Sequence, residues 1–269
     1  MSAPYSTVSF SYDFSKGSVE SRRKMAQMLN QDIYNNLIKL FKKDRECDID
    51  TFERVYNASL PEGKSIEFNR VEDQYADEFW GELEGVTDED DKLVAYNINI
   101  SNADDKINVS SLPTIMHESR HLLDFMLNPK YVKVDEAMTA RNLYDSAIID
   151  FYENFIYVYE KKNLSKGRKQ KIMDEVESEL REVLKNMPFD DQILCLKFLR
   201  QQISTEYCAH IENYRYANIL NHRWKMPPSQ LHDEPEGYMF REKLSVVNKV
   251  FMELMHNQHI SLANENKSL

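Results

Sequence analysis

The sequence predicts a helix-rich α+β fold, with a small mixed sheet ahead of one particular helix and a helical C-terminal half. Three observations carry this. Glycine and proline number only 6 and 8 in 269 residues, which favours long regular elements over a turn-rich all-β chain. The segment LVAYNINIS, residues 93–101, alternates Val94, Tyr96, Ile98 and Ile100 with Ala95, Asn97 and Asn99. That is the period of a half-buried strand with one polar face. From Val134 onward, nearly all of the chain carries apolar residues at helical spacing.

Residues 1–15 read as a flexible polar leader. From Ser18 to about Lys43, Val19, Met25, Leu29, Ile33, Leu37 and Leu40 recur in steps of mostly three and four, which predicts a helix with Glu20 in its first turn. The stretch DIDTFERVYNASLPEGKSIEFNRV reads as two short strands around a Pro-Glu-Gly turn. An acidic loop, GVTDEDDK, precedes the 93–101 strand. Ser111 and Pro113 then open a helix, since Ser caps well and Pro fits the first turn. This helix ends near Asn128. Further helices are expected over about 134–161, 167–186, 190–222 and 241–256, with a break at MPPSQLHDEPEG. Residues 16–262 read as a single domain. Within it, 16–128 hold the sheet and 129–262 are helical, and 263–269 form a tail.

Composition excludes several classes. Hydrophobic residues at 42% and charged residues at 29% fit a soluble globular chain, and a net charge of −11 disfavours a broad surface for nucleic acid or anionic membrane. No apolar run reaches the ~18 residues of a membrane span. The N-terminus lacks the basic-then-apolar order of a secretory signal. Cys47, Cys195 and Cys208 are odd in number and scattered, so neither a disulfide framework nor a paired-Cys metal site is expected. A reducing cytoplasm is the default setting. A polar leader is equally compatible with export into a host cell by a specialised secretion system.

The chemistry concentrates in PTIMHESRHLLDFML, residues 113–127. His117 and His121 stand four apart, so on a helix both imidazoles point from one face. Together they can hold a zinc ion at the ~2.0–2.1 Å that zinc prefers for nitrogen. Glu118, directly after the first histidine, is placed to take a proton from a water at the ion and pass it to a leaving amine. With only seven histidines in the chain, the His-Glu-x-x-His pattern arises by chance in roughly one or two such chains per hundred. The plain alternative is a polar stripe on an ordinary helix. Asp124 is placed to accept a hydrogen bond from a motif histidine, or to be a solvated Asp. His222, His232, His256 and His259 have no partners that make a site.

HESRH on a helix behind a strand resembles the zincin metallopeptidases. The resemblance is local to residues 117–121 and the strand before them. It implies a zincin-like fold, one Zn2+ and a protein or peptide substrate, while the charge and hydropathy above lead to the expectation of no nucleic-acid and no membrane partner. It also implies that VAYNINIS is the edge strand on which extended substrate docks. A third protein ligand is needed. The Gly and third His that some zincins carry soon after the motif are absent, so a downstream Glu is implied. In STEYCAHIENYRYAN, Glu206 followed by Tyr207 and Ala209 resembles the third-ligand helix of some zincins, with His210 where an Asp is usual. Glu136, in VDEAMTARN, resembles the ligand of short-spacer zincins and is the alternative. His210, Tyr214 and Tyr216 are the nominees to stabilise a tetrahedral oxyanion. The function implied is a zinc metalloendopeptidase. A zincin-like binding or regulatory module without turnover is the second reading, and a non-proteolytic zinc hydrolase the third.

Overall fold

A computed structural model describes residues 18–41, 45–71, 81–87, 93–101, 106–144, 146–160, 163–225 and 234–265. The expected leader at 1–15, most of the acidic run at 87–91 and the end of the expected tail lie outside the described residues. The fold is a helix-rich α+β arrangement with a small mixed sheet. No described helix is long and apolar enough to cross a membrane.

The chain divides into two compact units, one running to Pro129 and adding Glu212–His232, the other Lys130–Ile211 with Asp233–Leu269. In the first unit, helix α1 (Val19–Leu37) is capped by Ser18, whose side chain accepts from Ser21 N. Its face of Ala26, Leu29, Ile33 and Leu37 is buried. Strand β1 (Glu46–Asp48) leads into helix α2 (Ile49–Asn57), whose N-cap Asp48 accepts from Thr51 N. Here the sequence expectation of a strand is overturned. Ile49, Phe52 and Tyr56 fall at helical spacing and are all buried, so burying that one face outweighs the β-branched and aromatic content.

The main sheet has the order β2-β4-β3. Strand β2 (Glu67–Val71) runs parallel to β4 (Leu93–Ser101), and β3 (Gly81–Thr87) runs antiparallel to it. The VAYNINIS strand, expected at the edge, is therefore central. Among the described residues, the antiparallel outer strand is β3. Its sequence, GELEGVT, lies in a stretch rich in glycine and acid that carries little strand signal of its own. Strand β5 (Lys106–Asn108) pairs with β1. A 3-10 turn at Val109–Ser111 then leads into helix α3 (Leu112–Leu127). Tyr56, Phe52, Phe68, Ile98, Ile100, Leu122 and Leu123 belong to the core of this unit.

The second unit is helical. The single helix expected over 134–161 is interrupted: α4 (Pro129–Ala140) ends before Asn142 at φ 52°, and α5 (Ala147–Phe151) runs into a π-helical turn at Tyr152–Ile156. Asparagine tolerates that left-handed backbone well, which lets the chain break there. Helices α6 (Lys166–Leu184), α7 (Phe189–Trp224) and α8 (Phe240–Glu265) follow. The last continues well past the expected end near His256. Phe151, Ile156, Leu180, Leu196, Leu199, Val247 and Val250 build the core of this unit. Helix α7 is one unbroken helix that contributes to both units.

Candidate metal centre

Helix α3 is buried almost all round, and six of its buried side chains are polar: His117, Glu118, Ser119, Arg120, His121 and Asp124. Burying a polar group is costly unless it finds a partner, so the arrangement of these six is informative. Ser119 is fully buried and its hydroxyl accepts from Tyr56 Oη at 2.8 Å. Asn30 on α1 donates to the Met116 carbonyl at 3.1 Å. Arg120 donates from Nε to Asp124 Oδ2 at 2.9 Å and from Nη2 to the Arg23 carbonyl at 3.2 Å. Asp124 thus serves an arginine of its own helix. The expectation that it accepts from a motif histidine is replaced by this ion pair, because Arg120 is the residue one turn before it on the same face.

The two histidines meet each other. Their Nε2 atoms stand 3.1 Å apart, with the rings 76° from coplanar. Two nitrogens bound to one zinc at tetrahedral angles would stand ~3.3–3.4 Å apart. The pair therefore needs little movement to share an ion. Glu206, on α7, completes the group: His117, His121 and Glu206 each offer a ligand atom, all within 4.8 Å of one another. Among the described residues this is the one His/Cys/Asp/Glu group of that kind. Two nitrogens and one carboxylate oxygen make a donor set that suits zinc with one position left for water.

Glu118 lies alongside. Its Oε2 accepts from the backbone N–H of Leu83 on β3 at 3.0 Å, while Oε1 is 3.9 Å from His117 Nε2. One oxygen is thus anchored to the outer strand and the other faces the histidine pair. The strand comes close because residue 81 is glycine. A Cβ there would stand 3.3 Å from Thr114 Cγ2 and 3.4 Å from Glu118 Cγ.

On the Glu206 side, His210 Nε2 is 3.8 Å from Glu206 Oε2. The His210 ring packs against Tyr238 with centroids 4.4 Å apart, and against Phe240 at 5.4 Å. Tyr152, at the start of the π-helical turn, has its hydroxyl pushed well above the ordinary tyrosine range by burial and then by the Glu206 carboxylate. It stays protonated, as a donor beside a candidate ligand. Sequence reasoning missed Tyr152, although π-helical turns often mark functional positions, because nothing in SAIIDFYENFIYVYEKK distinguishes one tyrosine from its neighbours.

Glu136 is exposed on α4 and is not part of the three-residue group. Tyr214 lies eight residues past Glu206, ~12 Å along the helix axis, and its carbonyl accepts from Asn218. Tyr216 is fully buried and stacks on Tyr34 at 4.2 Å, so it belongs to the core. Cys47, Cys195 and Cys208 are free thiols. Comparison with protein-family models, with curated proteins and with solved structures found no match.

Proposed function

We propose that the chain is a zincin-like, zinc-dependent metalloendopeptidase that hydrolyses peptide bonds of a protein substrate. The observation that carries this reading is the convergence of His117, His121 and Glu206 within 4.8 Å, with a carboxylate oxygen of Glu118 beside them. His117, His121 and Glu206 would hold one Zn2+. When bound there, zinc supplies Lewis acidity, polarising a scissile carbonyl and making a water acidic enough to lose its proton near neutral pH. The rest falls to this chain. The imidazoles act as neutral ligands, and the Glu206 carboxylate supplies the negative charge opposite the cation. Glu118 takes a proton from the attacking water through Oε1 and delivers it to the leaving amine. Leu83 N–H holds Oε2, which fixes the carboxylate rotamer and keeps the proton-carrying oxygen aimed inward. An extended substrate would add to β3, the outer strand whose Leu83 already reaches the catalytic carboxylate. His210, 3.8 Å from Glu206 Oε2, and Tyr152, whose hydroxyl feels the Glu206 carboxylate, are candidate donors for a developing oxyanion.

The test is Glu118→Gln against the parent, with zinc content and peptide-library cleavage read on the same samples. The variant should keep its zinc and its melting temperature, and lose at least ~100-fold in cleavage rate. A parent that binds zinc but cleaves nothing in a broad library would favour a zincin-like binding module. Cleavage by Glu118→Gln at the parental rate would refute the assigned base.

A further inference from the structure

Arg120 is the third residue inside HESRH, and the proposed chemistry leaves it without a role. It is 3% exposed, and the two carboxylates around it, Asp124 and Glu212, are each 1% exposed. Asp124, on its own helix, takes two guanidinium contacts, at 2.9 and 3.4 Å. On the other side, Arg120 Nη1 stands 3.8 Å from Glu212 Oε1, and Glu212 belongs to α7. The two carboxylates therefore differ in kind. Asp124 tethers Arg120 within α3, whereas Glu212 links α3 to α7. Arg120 is next to His121 in sequence, and Glu212 is six residues beyond Glu206 on an unbroken helix, ~9 Å along its axis. A helix is stiff over two turns, so a contact that fixes Glu212 also fixes the rotation and height of Glu206. Burying a third charge beside an already paired guanidinium is costly. Burial indeed pushes the Glu212 carboxyl up, against a hydrogen bond from Tyr216 and then the pull of Arg120 and of Arg215, whose Nη1 stands 3.8 Å from Glu212 Oε2.

We propose that Arg120 is a positioning residue: its ion pair with Glu212 sets the register of α7 against α3, and so sets how well Glu206 reaches a metal held by His117 and His121. This rests on the reading of the metal centre given above. It predicts that metal affinity depends on Glu212, a residue outside the group of His117, His121 and Glu206.

The experiment compares Glu212→Gln with Asp124→Asn in the full chain. Each removes one carboxylate charge from Arg120, and each should lower the melting temperature. Zinc affinity is measured by competition with a chelating dye, and the Co2+-loaded proteins are compared by visible absorption. Glu212→Gln should weaken zinc binding ~10–100-fold and alter the Co2+ bands, as loss of outer partners does, while Asp124→Asn stays within ~3-fold of the parent. Should Glu212→Gln fail to fold, Glu212→Asp keeps the charge, shortens the reach and should still weaken zinc binding by several-fold. Equal affinities in parent and variants, or equal losses in the Glu212 and Asp124 variants, would overturn the coupling. A parent that binds no zinc would instead sink the metal centre and the coupling with it. The parental arm thus tells the two failures apart.

Discussion

Lys243 shows how one buried residue sets a pH dependence. It is 1% exposed, and its Nζ donates to the carbonyls of Ile156 at 3.3 Å and Val158 at 2.9 Å. It therefore ties down the end of the π-helical turn that begins at Tyr152. Burial lowers its pKa to about 8, against the pull of Glu160 and Glu242. In the unfolded chain the amine titrates near the usual lysine value. Between the two values the unfolded chain holds more protons, so stability rises with pH through that window and is lost as pH falls through about 8. The size of the depression corresponds to ~3 kcal/mol. A neutral amine still has two N–H groups for two carbonyls, so the contacts survive deprotonation. Urea unfolding from about pH 7.5 to 10.5 should show the parent gaining stability relative to Lys243→Met. Parallel curves would contradict this. Residue-scale legibility was uneven. His117, Glu118 and His121 were readable because their spacing is itself the geometry of a helix face. Glu206 was nominated by the polar residues around it, but its approach to the histidines is not written in local sequence. Asp124 was misassigned because an i+4 arginine and a histidine three residues away compete for it, and only packing decides.

At the scale of elements, α4 and α7 meet through a polar contact in a largely apolar unit. Gln201 Nε2 donates to Asp135 Oδ1 at 3.1 Å, and Tyr144 also donates to that carboxylate. Burial raises the Asp135 pKa to about 7, with Tyr144 and Gln201 pulling it down and Glu136 pushing it up. The folded protein thus holds this proton more tightly than the unfolded chain. The contribution is fully present below the ordinary aspartate value and is lost as pH rises through about 7. Asp135→Asn keeps an acceptor and removes the titration. Its melting temperature should exceed the parental value above neutral pH and converge with it towards about pH 4. A variant less stable than the parent across the whole range would refute this. Element boundaries were legible where a start signal and a period agreed, as for Ser111 with Pro113 ahead of α3, although the Ser111 side chain makes no capping hydrogen bond there. They were not legible where tertiary pairing supplies the stability. Strand β3 has Gly81, Glu82, Glu84 and Gly85, poor strand formers, and it exists because β4 offers a ladder and α3 offers Glu118 to the Leu83 N–H. The Asp48 cap that makes α2 a helix was present in the sequence, but the aromatic and β-branched residues after it outweighed the cap.

At the scale of the whole molecule, a metal that binds only the folded chain must stabilise it by mass action. At ~100 times its dissociation constant, zinc adds ~2.7 kcal/mol, which for a chain of this size means ~5–10 °C in melting temperature. Adding zinc to chelator-treated protein should produce a rise of that order. His117→Ala should melt at one temperature with or without the metal. A rise that persists in the variant would place the stabilising ion elsewhere.

The most direct measurement is the metal content of the purified protein after zinc loading and gel filtration, taken beside His121→Ala and Glu206→Ala. The account predicts close to one zinc per chain in the parent, almost none in His121→Ala, and a much weakened, readily chelated zinc in Glu206→Ala. A parent that leaves the column without zinc, or variants that retain it as firmly as the parent, would contradict it.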